Sequence, residues 1–126
     1  MTVSEIIVKM VKQSNGNLHD IGHFMKVYAY AKTIAECEKI APEEQKTVEI
    51  AAVIHDIACP LCREKYGNTN GKLQEVDGID YQILLEADYL VNADESGYDK
   101  SNLLNAAERL FKTATGKELL RSVYGI

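Results

Sequence analysis

An all-α fold of about five to six helices is what this 126-residue sequence predicts, on three observations. Apolar residues recur at three- and four-residue steps along most of the chain, the period of a helix with one buried face. Only two prolines occur, Pro42 and Pro60. Runs of the β-branched residues that strands favour are short.

The elements follow in order. A first helix spans about Val3 to Lys12, with Ile6, Ile7, Met10 and Val11 on one face. Ser14-Asn15-Gly16-Asn17 reads as a turn, with Gly16 just past the helix end, where a left-handed residue is favoured. The second and longest helix runs from about Leu18 to Ile40 on a stripe of Phe24, Val27, Tyr28, Ala31, Ile34 and Ala35. Pro42 suits the first turn of a third helix, and Glu43 and Glu44 suit the positive end of its dipole. That helix carries Val48, Ala51, Ala52, Val53 and Ile54 and closes on His55-Asp56; its middle is apolar all round, so it is expected to be buried. From Cys59 to Gly78 the pattern breaks, and Gly67, Gly71, Gly78, Asn68 and Asn70 mark a long loop of the kind that is usually functional or mobile. Helix returns from about Ile79 to Asp94 with Ile83, Leu84, Ala87, Leu90 and Val91 inward. Another follows Asp99-Lys100-Ser101 and carries Leu103, Leu104, Ala107, Leu110 and Phe111, and a short closing helix covers Lys117 to Tyr124 after Gly116. There is no internal repeat, and the length fits a single helical domain, 1–126.

Composition narrows the function. Apolar residues at 46% and charged residues at 26% are globular values. A net charge of −5 disfavours nucleic acid polymers and anionic membranes as partners, because both are polyanions. A small phosphorylated substrate stays open, since a bound cation inverts the local field. The start of the sequence lacks the basic and long apolar regions of a signal peptide, and no stretch approaches ~18 apolar residues, so a cytoplasmic protein with reduced thiols is expected.

Three histidines occur, His19, His23 and His55. Burying an ionised Asp costs several kcal/mol unless it is paired or holds a cation. His55-Asp56, closing the most apolar helix, therefore asks for a partner. Asp88, among Leu84, Leu85, Ala87, Leu90 and Val91, asks for one too. Two imidazoles and two carboxylates form a mixed N/O set suited to one divalent transition metal, Mn, Fe, Co, Ni or Zn, with Mg as a further candidate. Water in the remaining positions would be acidified into a nucleophile while the metal polarises a phosphoryl oxygen.

His23-x3-Val27, then Ala51-Ala52-Val53-Ile54-His55-Asp56-Ile57-Ala58, then Glu86-Ala87-Asp88 resemble the HD-domain phosphohydrolases. Their pattern is a His, an apolar helix ending in His-Asp, and a later Asp. The resemblance spans about Leu18 to Val91 and implies an HD-domain-like helical bundle that hydrolyses nucleotides or other phosphate esters. Carried over, His23, His55, Asp56 and Asp88 are the metal ligands, with Asp56 also orienting or deprotonating the catalytic water. Lys72 and Arg63, placed in the long loop, are candidates to steady a substrate phosphate.

Residues 67–75 and 80–84 are also similar to a group of small bacterial HD proteins. The chain departs from them between Glu75 and Asp80, where they carry further helical sequence with histidines near the site. A chain without that cover exposes apolar surface, which pairing as a homodimer or swapping an element with a partner would hide.

Other readings stand beside these. His19-Asp20 falls in a helix first turn and reads as capping or as support for the site. Cys59-Pro60-Leu61-Cys62 with His55 gives three zinc-type donors that need a fourth. A catalytically weak HD-fold module that binds a nucleotide or a protein partner is the alternative to an enzyme.

Overall fold

The structure, a computed structural model, describes residues 2–66 and 78–126, and of residues 56–66 the backbone alone. Among the described residues there are six helices and no strand: α1 (Val3–Gln13), α2 (Leu18–Cys37), α3 (Pro42–Tyr66), α4 (Ile79–Ser96), α5 (Lys100–Arg109) and α6 (Ala114–Tyr124). None of these is long and apolar enough to cross a membrane. Lys72 lies outside the described residues.

Local chemistry starts each helix. Thr2 and Glu5 form a reciprocal capping box at α1, the Thr2 hydroxyl accepting from the Glu5 amide at 3.1 Å. Asn17 caps α2 by accepting from the Asp20 amide at 3.1 Å, and Asp99 caps α5 by accepting from Asn102 at 2.8 Å. Asn15 and Gly16, both at positive φ, turn the chain from α1 into α2 as the Gly16 signal suggests.

Three boundaries differ from expectation. α2 stops at Cys37 rather than Ile40, because Lys39 takes a left-handed φ of 57°. The Ile40 amide then reaches back to the Ala35 carbonyl at 3.4 Å and Lys39 to Glu36 at 3.2 Å, a Schellman closure. α3 does not close at His55-Asp56 but continues to Tyr66, so Arg63, Cys59 and Cys62 belong to a helix rather than a loop. Pro60 lies within this helix, where a proline has no N–H to offer the carbonyl four residues back and its ring crowds that carbonyl. α6 begins at Ala114, with Gly116 inside it. A glycine is needed there, because an added Cβ would meet Glu86 Oε1 at 1.8 Å.

The core is built around α2, which packs between α3 and α4. Val27, Ala31, Ile34 and Ala35 of α2 meet Val48 and Ala52 of α3 and Ile83, Ala87, Leu90 and Val91 of α4, with Phe111 and Leu120 closing one end. Alanine at 31, 35, 52 and 87 lets the backbones approach closely, and each fully buried Ile or Leu contributes roughly 1.5–3 kcal/mol. α1 adds a smaller cluster of Met10 with Phe24 and Val53. Tyr28, read as part of the α2 stripe, is half-buried, Val11 is exposed, and Leu104 is 47% exposed, because α5 turns Leu103 and Ala106 inward instead.

The far side of α4 is held by a buried acid. Glu86 accepts from the Gln82 amide at 2.6 Å, the Lys112 and Thr113 backbone amides at 2.9 and 3.1 Å, and the Thr113 hydroxyl at 2.6 Å. The same hydroxyl accepts from the Gly116 amide at 2.9 Å, so one Thr side chain both caps α6 and joins it to α4.

Tyr124 at the end of α6 donates its hydroxyl to the Leu90 carbonyl of α4. Burial, reinforced by the charge of Asp94, pushes this phenol up to about 12 from 10.0. The raised value favours the neutral form in the folded state, so its stabilisation is complete below pH 10.0 and is lost as pH climbs towards about 12. Tyr124→Phe should cost about 1 kcal/mol at neutral pH. It should also flatten the fall in stability across that alkaline window, as measured by urea unfolding at both pH values.

Candidate metal centre

Three helices each bring one side chain to a common point. His23 lies in the first turns of α2, one turn before the buried Val27; His55 lies inside α3; Asp88 lies mid-way along α4. His23 Nε2 stands 3.4 Å from His55 Nε2 and 3.5 Å from Asp88 Oδ1, and His55 Nε2 stands 3.2 Å from the same oxygen. The donor atoms form a nearly equilateral triangle. Bonds of about 2.0–2.2 Å to one ion demand donor separations of roughly 3–3.5 Å, so the triangle fits a first-row cation without rearrangement.

The protons say the same. His55 Nδ1 lies 2.9 Å from the Ala52 carbonyl, which can only accept, so this nitrogen carries the hydrogen, and in the neutral ring Nε2 presents a lone pair. His23 Nδ1 lies 2.7 Å from Glu95 Oε1, and a carboxylate imposes the same tautomer on the second ring. Asn92 donates to Asp88 Oδ2 at 3.1 Å, which leaves Oδ1 to face the imidazoles. With both rings neutral, two nitrogen lone pairs and a carboxylate oxygen thus converge on one space, a donor set that a cation would suit. The rings are tilted by 41° rather than stacked, so their nitrogens, not their faces, meet.

His23, His55 and Asp88 are the group of donors found close enough for a metal among the described residues. Of the fourth residue assigned from sequence, Asp56, only the backbone is described, and the same holds for Arg63, Cys59 and Cys62. His19 and Asp20 do not join the site. Their side chains are 74% and 60% exposed, and the cap of α2 is supplied by Asn17. Of the zinc reading on His55, Cys59 and Cys62, only the His55 side chain lies among those described.

Two residues at the site escaped the sequence reading. Asn92 and Glu95 stand four and seven positions after Asp88, one and two helical turns along the same face. The polar residues at 88, 92 and 95, spaced four and three apart along one face of the helix, were the available signal.

No family model, curated protein or solved structure matches the chain. The fold and the site therefore define it by themselves, as an all-helical protein with a three-donor centre formed by α2, α3 and α4.

Proposed function

We propose that the chain is a metal-dependent phosphohydrolase of the HD type, acting on a small phosphate ester such as a nucleotide. The observation that carries this is the triangle of His23 Nε2, His55 Nε2 and Asp88 Oδ1, with both imidazoles held in the tautomer that a ligand needs. The order His, His-Asp, Asp along three helices supports the HD assignment, and Asp56, next to His55, completes the ligand set in this proposal. A divalent ion held there supplies acidification of water and polarisation of the phosphoryl group.

The protein's own residues do the rest. His23 and His55 donate nitrogen lone pairs from rings locked by Glu95 and Ala52. Asp88 and Asp56 lower the charge of the centre, and Asp56 takes the proton from the attacking water. Arg63 and Lys72 are proposed to steady the substrate phosphate.

Metal content by mass spectrometry, beside turnover of a generic phosphate ester, tests the proposal. About one transition metal per chain is expected, lost with activity in His55→Ala and kept in Cys59→Ser/Cys62→Ser. Metal retained without turnover of any ester tried would replace the enzyme by the binding module. Metal lost only in the cysteine variant would move the site to the CxxC.

A further inference from the structure

We infer that Glu95 is a positioning residue of this centre: by fixing the tautomer and ring orientation of His23 it determines whether that imidazole can act as a ligand, an inference that rests on the metal centre proposed above. Glu95 Oε1 lies 2.7 Å from His23 Nδ1, and its side chain is 17% exposed. A carboxylate accepts and cannot donate, so the ring hydrogen sits on Nδ1 and the lone pair on Nε2, the atom 3.4 Å from His55 and 3.5 Å from Asp88. The opposite tautomer would direct an N–H into the triangle and take one ligand away.

The place of Glu95 in its helix excludes the simpler explanation that it stabilises α4. It falls in the last turn of Ile79–Ser96, where there is no basic residue. The helix dipole disfavours an acid at that end. Its neighbour Asp94 turns outward to Lys26 at 4.0 Å and is 71% exposed, as an acid in that position ordinarily does. Glu95 instead meets an imidazole that is 9% exposed. His55 receives the equivalent support from the Ala52 backbone carbonyl, which no side-chain substitution removes. His23 is therefore the ligand whose geometry depends on a replaceable side chain. A carboxylate behind a ligating histidine raises its basicity and restricts its rotation, and losing one commonly weakens metal binding 10–100-fold.

The test compares wild type with Glu95→Gln and Glu95→Ala, and with Asp94→Asn as a surface control. Long-range 1H–15N spectra of the metal-free protein, at alkaline pH where the ring is neutral, report the His23 tautomer, and zinc alone is titrated calorimetrically. Expected are the Nδ1–H form in wild type, its retention in Glu95→Gln, whose amide oxygen still accepts, and its loss in Glu95→Ala. Zinc should bind about 10–100-fold more weakly to Glu95→Ala. The melting temperature of the metal-free protein should change little, and Asp94→Asn should match wild type throughout. A wild-type ring protonated on Nε2, or Glu95→Ala with wild-type zinc affinity, would overturn the inference. If wild type takes up no zinc, the proposed metal centre falls, and the tautomer alone decides. Loss of the Nδ1–H form in Glu95→Ala then supports the hold of Glu95 on His23, and an unchanged tautomer in that variant refutes it.

Discussion

Gly116→Ala should lower the unfolding free energy by about 3–5 kcal/mol, the cost of leaving a buried charge without its partners. The added methyl would lie 1.8 Å from Glu86 Oε1 and 2.7 Å from Thr113 Oγ1. Neither atom is free to retreat. Glu86 is fully buried and held by four hydrogen bonds, and the Thr113 hydroxyl is both one of those donors and the cap of α6. Small domains are stable by only about 5–15 kcal/mol, so much of the total is at stake and the urea midpoint should fall accordingly. A double-mutant cycle sharpens the expectation. In a Glu86→Ala background the same methyl should cost far less, because the atom it strikes is gone. Equal costs in both backgrounds would mean that the clash is not with the carboxylate.

Asp88→Asn is the substitution with the largest expected effect on function. It preserves shape, but an amide offers one oxygen where the carboxylate offers two, and Asn92 already donates to one of them at 3.1 Å. With Asn92 donating as it does now, the amide oxygen accepts from it and the amide nitrogen faces the imidazole nitrogens. One ligand and one negative charge are lost at once. Zinc affinity should fall between about 10²- and 10³-fold, near a quarter of the ~10–16 kcal/mol that a four-ligand zinc site supplies. Phosphate-ester turnover should fall with it. The metal-free variant should melt at or above the wild-type temperature, since the new N–H groups relieve the crowding of lone pairs. A calorimetric zinc titration and a thermal melt check both halves, and a variant that binds zinc like wild type would remove Asp88 from the ligand set.

Much of this molecule was legible in its sequence, because the governing signals are local. The α2 stripe of Phe24, Val27, Ala31, Ile34 and Ala35 is buried as its 3-4 spacing implies. An apolar period reports burial wherever one face meets a core. His23, His55 and Asp88 stood out as polar groups among apolar neighbours, and they do converge. Helix ends were harder. α2 closes through a left-handed Lys39, where a glycine would have announced the turn. Gly116 reads as a break in isolation, yet tertiary context keeps it within a helix. Gly116 is explained only by Glu86, thirty residues earlier, and Glu95 only by a histidine 72 residues away. Pairings across such separations leave no trace in local spacing.

Glu86 and Asp88, two positions apart, project from α4 about 200° apart around its axis. One carboxylate is locked to the start of α6, and the other is presented to α2 and α3. The anchored acid thus sets the angular phase of the whole helix. A slip of one residue would turn α4 by about 100° and sweep Asp88, Asn92 and Glu95 out of register together. The aim of the metal-facing row is indexed from the opposite side of the helix, by a residue that never touches the centre.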